Sequence, residues 1–176
     1  MYDAYVMAGF PEKCGAQAYN SVAIVSPAGT LLHLYRKHFL YEVDETWAQE
    51  GPSFQSFQLP RLGQVVVGCC MDLSPYRFTA PFEAFEFGHF AAQQAPDVII
   101  VLMNWLDSHP DDDTEPDRMA LDRQHQTYAY WCLRCRPCLR LNTRLVICNR
   151  VGRERGILYR LSDWCGGTTW PAWRRG

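Results

Sequence analysis

The chain has 176 residues, of which 48% are apolar, and a formal net charge of −2 at neutral pH. This composition predicts one globular domain with a hydrophobic core, and no basic patch indicates nucleic-acid binding. The sequence shows neither an apolar run of about 18 residues nor a charged-then-apolar leader, so we expect no membrane span and no secretion. The chain has eight cysteines, which we expect to be reduced thiols of a cytoplasmic protein.

The first part of the chain predicts three short strands. They cover residues 2–10, 19–25 and 31–35, and the turn at 27–30 joins the last two as a hairpin. Gly9 and Pro11 are expected to close the first strand. Glu12 follows at once, and its Pro-Glu pair is assigned to a turn.

Two adjacent thiols, Cys69 and Cys70, follow a short apolar run at residues 65–68. Such a β-branched run is typical of a strand buried on both faces. Where a buried strand ends, outward-pointing backbone N–H groups lower a thiol pKa and stabilise an oxyanion. The alternative is that both cysteines are ordinary buried packing.

Lys37 is the second candidate for chemistry. It lies among aromatic residues, where a desolvated ammonium can serve in proton transfer. Alone it would be interpreted as a surface lysine. A lysine of this kind together with a thiol at a strand end indicates nucleophilic catalysis.

The rest of the chain alternates helices and buried strands, which predicts an α/β fold. Asp72, Ser74 and Pro75 are suited to start a helix after the thiols. Helices are then expected at 82–94 and about 119–133, strands at 98–103 and 145–148, and an acidic loop at 107–118. That loop could engage a peptide α-ammonium, but we expect it to be solvated.

Three cysteines form a C-x-x-C-x-x-C run: Cys132, Cys135 and Cys138. A structural zinc site needs four ligands, commonly as two separated pairs, and Cys148 is the only other cysteine nearby. We therefore predict no metal site.

Four motifs occur in order along the chain: Tyr35-Arg36-Lys37, the segment 68–72, Asn104-Trp105 and the segment 149–152. Together they resemble the ordered motifs of the nitrilase, or carbon–nitrogen hydrolase, superfamily. The runs 35–51 and 70–81 are most similar to the fungal-type protein N-terminal amidases, which deamidate N-terminal Asn and Gln. The resemblance covers roughly residues 5–159. It implies an incomplete α-β-β-α sandwich and a Glu–Lys–Cys triad.

The resemblance also implies roles for particular residues. Cys70 would be the nucleophile, because it stands two residues before Asp72 in the family's Cys-x-Asp spacing. Lys37 would protonate the leaving ammonia and stabilise the oxyanion together with the backbone N–H of Met71. No metal or organic cofactor is implied, and the expected substrates are proteins or peptides beginning with Asn or Gln.

Other residues are expected around the substrate. Either Asp44 or Glu45 would orient Lys37 and the substrate, and the sequence does not separate the two. Asn104 and Trp105 would border the substrate pocket, although Trp105 suits the core equally well.

We expect residues 1–159 to be a partial hydrolase domain and residues 160–176 a divergent tail, with Trp164, Trp170 and Trp173 unpacked. The family's triad glutamate precedes the hairpin and has no counterpart here, so we expect truncation at both ends. A lysine protonated near neutral pH is a poor base, so we expect no turnover by the chain as written. The alternatives are an amidase or nitrilase acting on a small free amide, or a non-catalytic fragment or subunit.

Overall fold

The computed structural model describes residues 3–107, 118–139, 143–159 and 164–167 and, of residues 118–122 and 164–167, the backbone only. Within these residues, two β-sheets lie face to face and two α-helices cover one of them. None of the described helices is long and apolar enough to cross a membrane.

The smaller sheet is antiparallel and has the order β1-β2-β3. Its strands are β1 (Val6–Cys14), β2 (Gln17–Val25) and β3 (Leu31–Arg36). The first strand was expected at residues 2–10, yet it continues through Pro11, which an edge strand tolerates because one side has no ladder bonds to donate. Glu12 therefore lies in a strand, and its assignment to a turn is wrong. The turn comes at Gly15, whose φ of 61° suits glycine.

The larger sheet holds the parallel core of the fold. Its central strands β5 (Gly63–Cys69), β6 (Val98–Met103) and β7 (Arg144–Asn149) are parallel, and β4 (Gln55–Leu59) lies antiparallel at one edge. A separate hairpin of β8 (Gly152–Glu154) and β9 (Ile157–Tyr159) follows, and β10 (Trp164–Gly167) pairs antiparallel with β7 at the other edge. Part of the expected divergent tail is thus a strand of this sheet, whereas Trp170 and Trp173 lie outside the described residues.

Strand β5 shows how the layers are built. Val65, Val66 and Val67 are each fully buried. Because side chains alternate across a strand, Val65 and Val67 pack with the smaller sheet while Val66 packs with the helices. Strand β5 is therefore buried on both faces, as the apolar run at residues 65–68 predicted.

The helices α1 (Glu86–Gln94) and α2 (Arg118–Arg134) occupy the outer face of the larger sheet. The resulting order of helices, sheet and sheet matches three layers of the expected α-β-β-α sandwich, and the described residues contain no second helical layer. Helix α1 is shorter than expected because Phe85 adopts a left-handed φ of 43° and separates it from a 3-10 turn, Phe82–Ala84.

The segment after the thiols also differs from expectation. In place of a regular helix it forms two short 3-10 turns, Cys70–Leu73 and Tyr76–Phe78. Most of the predicted acidic loop, residues 108–117, lies outside the described residues, and Arg118 already belongs to α2.

Candidate active site

The carboxyl ends of the three parallel strands meet at one edge of the larger sheet. The register aligns Cys69 of β5 with Leu102 of β6 and Cys148 of β7. The residues that follow each strand therefore come together, which is where open parallel sheets bind ligands. Cys70 and Asn104 are two of these residues.

Cys70 occupies the sharp turn directly after β5. Its φ is 45°, a left-handed conformation that non-glycine residues rarely adopt and that costs about 1–3 kcal/mol. The turn places the side chain at a cavity of about 470 Å³. Four aromatic residues line that cavity: Tyr41, Phe78, Trp105 and Tyr130. The thiol thus borders an open cavity while it also packs against the core.

Lys37 is buried and its ammonium is held by a carboxylate. Its Nζ donates to Oδ2 of Asp44 at 2.5 Å. Asp44 also accepts from Nδ2 of Asn20 and from the backbone N–H of Tyr41, each at 3.1 Å. Glu45 is instead exposed and lies 3.5 Å from Arg77. Asp44 is therefore the residue of the two that contacts the lysine.

The charges at the site favour a neutral thiol and a cationic lysine. Burial raises the pKa of Cys70, against the opposing effects of the Lys37 ammonium and of a hydrogen bond from the backbone N–H of Asn104. Burial alone would lower the pKa of Lys37, but its interactions with Cys69, Cys70 and Asp44 leave that pKa above its ordinary value. The thiol consequently needs a base to become a nucleophile.

Asp72 connects the turn at Cys70, here called the thiol turn, to residues 35–39 around Lys37, here called the lysine segment. This fully buried carboxylate accepts hydrogen bonds from Tyr35 Oη at 2.7 Å and from the backbone N–H groups of Cys69 at 2.7 Å, Phe39 at 2.8 Å and His38 at 3.2 Å. Sequence reasoning gave Asp72 only a helix-capping role. The Cys-x-Asp spacing was the available signal, but its long-range partners were not visible in it.

Arg134 is a second residue whose role the sequence did not reveal. It is buried at the end of α2, and its Nε donates to the carbonyl of Leu73 at 2.6 Å. Its other nitrogens contact the carbonyl of Phe82 and, at 3.1 Å, the carboxylate of Glu86. These bonds hold the segment that follows the thiol. An arginine within a cysteine-rich run offers no local sign of this role.

The remaining predicted residues occupy different positions around the cavity. Asn104 is exposed and Trp105 half-buried, and both line the cavity. Trp105 also packs edge-to-face on buried Trp131 at 5.7 Å between ring centroids, so both interpretations of this residue hold. The side chain of Met71 is buried in the core, and its backbone belongs to the first 3-10 turn beside the thiol.

The carboxylate of Glu12 is fully engaged away from the lysine. It accepts two hydrogen bonds from Arg36, at 2.6 and 2.9 Å, and one from Ser21 Oγ at 2.7 Å. The arginine is the largest cause of the lowered pKa of this carboxyl. Glu12 thus ties β1 to β2 and β3.

The three clustered cysteines belong mainly to the core. Cys135 and Cys138 are fully buried among the residues between the helices and the larger sheet, and Cys132 is half-buried. Within residues 3–107, 118–139, 143–159 and 164–167, no three His, Cys, Asp or Glu side chains are arranged to hold a metal ion.

The sequence and the structure were compared with those of known proteins. No family model matches the chain. A protein N-terminal amidase of Schizosaccharomyces pombe is 36% identical in an alignment 175 residues long, which covers 89% of this chain and 59% of that protein. A crystal structure of an N-terminal amidase with an Asn-Glu-Ala peptide has a TM-score of 0.74 at 20% identity, covering 93% of this chain and 70% of that one.

A third comparison extends the likeness beyond the N-terminal amidases. The crystal structure of a carbon–nitrogen hydrolase from Helicobacter pylori has a TM-score of 0.69 at 18% identity, covering 94% of this chain and 56% of that one. The chain is similar in sequence to a protein N-terminal amidase, and it shares the fold of the N-terminal amidase and carbon–nitrogen hydrolase crystal structures. This confirms the predicted nitrilase-like α/β fold. The chain spans about three fifths of the length of its S. pombe relative.

Proposed function

We propose that this chain is a nitrilase-superfamily enzyme that hydrolyses the side-chain carboxamide of an N-terminal Asn or Gln through Cys70. The observation that carries the proposal is the left-handed turn that presents Cys70 to an aromatic cavity, where the ammonium of the buried Lys37–Asp44 pair acts to lower the pKa of the thiol. The related S. pombe protein is named a protein N-terminal amidase, which supports the same substrate class.

The reaction proceeds through a thioester. A base takes the thiol proton, and the Cys70 thiolate attacks the carboxamide carbon, moving an electron pair onto its oxygen. The backbone N–H of Met71 and the Lys37 ammonium stabilise this oxyanion. The oxyanion collapses as the carboxamide nitrogen accepts a proton from Lys37 and leaves as ammonia. Water then cleaves the thioester, which yields the new Asp or Glu and restores the thiol.

Three of the described carboxylates are already engaged by other groups. Asp44 pairs with Lys37, Asp72 accepts four hydrogen bonds, and Glu12 is held by Arg36. We therefore assign the base to a glutamate outside these residues, as the superfamily's triad implies.

The proposed substrates are proteins and peptides, in contrast to small free amides. No cofactor takes part in the proposed chemistry. Because the reaction depends on a reduced thiol, we propose a cytoplasmic location, where thiols are kept reduced.

Active-site labelling tests the proposal without relying on turnover. The probe is a peptide whose first residue is 6-diazo-5-oxo-norleucine, a glutamine analogue. Its diazo carbon accepts a proton, the sulfur bonds to that carbon and dinitrogen leaves. No outside base is needed, because the proton lost by the thiol balances the one gained. We expect mass spectrometry to find the peptide on Cys70.

Two results would contradict this assignment. Labelling of Cys70 no faster than that of exposed Cys14 would remove the case for a nucleophile. Equal or faster labelling by free 6-diazo-5-oxo-norleucine than by the peptide would instead support the small-amide alternative.

A further inference from the structure

Phe78 is the most exposed of the four aromatic residues that line the Cys70 cavity. It is 58% exposed, whereas the other three are half-buried: Tyr41, Trp105 and Tyr130. An exposed residue on the wall of an open cavity lies at its mouth. Resting on the proposed function, we propose that Phe78 packs on the side chain of the substrate's second residue. The enzyme then prefers peptides with an apolar residue at that position.

The backbone that carries Phe78 has a conformation that its residue types disfavour. Arg77 has a φ of 52° and Phe78 a φ of 56°, so two successive residues other than glycine are left-handed. Such conformations persist only where the surrounding contacts hold them, and they cluster where a side chain must be directed at a ligand. The exposed position of this ring is therefore imposed by the fold.

Hydrogen bonds and a charged contact hold this turn. The N–H of Phe78 donates to the carbonyl of Pro75 at 2.9 Å. Tyr76 Oη donates to Oε1 of Glu50 at 2.7 Å, and the guanidinium of Arg77 lies 3.9 Å from the same oxygen. A recognition group fixed in this way binds with less loss of conformational entropy than one on a free loop.

The ring of Phe78 has apolar surface to offer a ligand. It meets the ring of Tyr41 edge-to-face, with centroids 6.4 Å apart and planes at 90°, which leaves the residue more than half exposed. Leu106, which is 36% exposed, adds aliphatic surface to the same cavity. Covering such surface with an apolar side chain is favourable, because both surfaces then leave water.

A peptide bound for the proposed reaction has to leave the cavity through this mouth. The carboxamide of its first residue lies at Cys70, and the rest of the chain extends towards solvent. The second side chain is thus the first one beyond the reacting residue, and it meets the exposed wall formed by Phe78 and Leu106. Glycine has no side chain to bury there, and a carboxamide would lose hydrogen bonds to water.

The test compares three diazo-ketone peptides that differ only in their second residue, which is leucine, glycine or asparagine. Their rates with glutathione, a small thiol in solution, correct for any difference in reactivity. For the wild-type chain we expect the leucine peptide to label Cys70 about 5- to 10-fold faster than the other two, as partial burial of one aliphatic side chain gives. Phe78→Ala should reduce this preference to about 2-fold or less, because the leucine peptide reacts more slowly.

Two further variants separate the apolar contact from a general disturbance. Phe78→Leu keeps an apolar side chain at the mouth and should retain most of the preference. Phe10→Ala is the same change as Phe78→Ala at an exposed phenylalanine of β1 outside this cavity, and it should leave the preference unchanged. Alkylation by iodoacetamide, a small neutral reagent, shows whether each variant leaves the Cys70 thiol intact.

Equal labelling of the wild type by the leucine and glycine peptides would overturn the proposal, even if Phe78→Ala fails to fold. Faster labelling by the asparagine peptide than by the leucine peptide would overturn it as well. So would a full preference for leucine in a folded Phe78→Ala variant. These results leave the proposed function standing, because they do not bear on whether Cys70 is labelled faster than exposed Cys14.

Discussion

The two adjacent thiols lie on opposite faces of the same sheet. Cys69 ends β5 in an extended conformation, with φ −135° and ψ 107°, and packs with the residues between the two sheets. Cys70 adopts a left-handed φ of 45° and packs against the residues beneath the helices. The two thiols are therefore adjacent in sequence, yet Cys69 belongs to a regular strand and Cys70 to the turn that follows it.

The two thiols also line different cavities. Cys69 lines a groove that also contains Asn20, Asp44, Asn149 and Arg150, whereas the Cys70 cavity has aromatic walls. Lys37 lowers the pKa of both thiols and burial raises both, so electrostatics alone does not select a nucleophile. The backbone conformation distinguishes the two thiols, because it directs Cys70 toward the aromatic cavity.

The largest expected effect separates the thiols directly. Cys70→Ala should abolish labelling by the diazo-ketone peptide, because the attacking sulfur is gone. Cys69→Ala should retain labelling and lower the free energy of unfolding by about 1 kcal/mol, from lost packing. Peptide mass mapping and urea unfolding measure the two effects. The reverse pattern would show that Cys69 is the nucleophile.

The second expected effect concerns Asp72, whose carboxylate accepts a hydrogen bond from the backbone N–H of Cys69. Asp72→Asn should lower the free energy of unfolding by about 3 kcal/mol, because an amide cannot accept from all four donors and leaves buried groups unpaired. Urea unfolding measures this loss. Glu45→Gln, at an exposed residue, is the control and should cost less than about 0.5 kcal/mol. Equal losses in the two variants would contradict a structural role for Asp72.

The third expected effect concerns Lys37, whose ammonium acts to lower the pKa of both thiols. Lys37→Met should slow labelling of Cys70 about 100-fold, because the proton donor and the charge that favours the thiolate are both removed. Stopped-flow or timed mass measurements give the rate. The chain's only other lysine, exposed Lys13, provides the matched control, and Lys13→Met should leave the rate unchanged. A rate that survives Lys37→Met would remove this residue from the chemistry.

Much of this arrangement could be predicted from local pattern. The buried strands β5, β6 and β7 follow from β-branched and other apolar runs, and the ordered motifs placed Cys70 and Lys37 at strand ends. What local pattern could not supply were contacts across long sequence separations. The bonds of Asp72 to Tyr35 and of Arg134 to Leu73 depend on tertiary packing, and so does the choice of Asp44 over Glu45.

Backbone conformation was the other source of error. Phe85 adopts a left-handed φ that its residue type disfavours, and this divides the expected helix at 82–94. Pro11 signalled the end of a strand, but its position at a sheet edge left the strand free to continue. In both cases packing overrode a local preference.

The smallest expected effect is a dependence of stability on pH. Burial raises the folded-state pKa of Cys69 and Cys70, so above their ordinary value of 9.0 the unfolded chain loses protons first. The free energy of unfolding should therefore fall as pH rises above 9.0, by at most about 1.4 kcal/mol per pH unit for each thiol.

Urea unfolding between pH 8 and pH 10, repeated on the alanine variants, measures this dependence. Cys69→Ala should remove more of the fall than Cys70→Ala, because a hydrogen bond from Asn104 partly offsets the burial of Cys70. Stability that rises above pH 9 would contradict the raised pKa values.

The four donors to Asp72 also have a consequence for the order of folding. They come from residues 35, 38, 39 and 69, all of which precede Asp72 in the chain, whereas strand β6 begins only at Val98. On a ribosome, the contacts that join the thiol turn to the lysine segment can therefore form once residue 72 has left the exit tunnel, while strand β6 is still inside it. We expect amide protons at residues 38, 39 and 69 to be protected in nascent chains that are just long enough to expose residue 76.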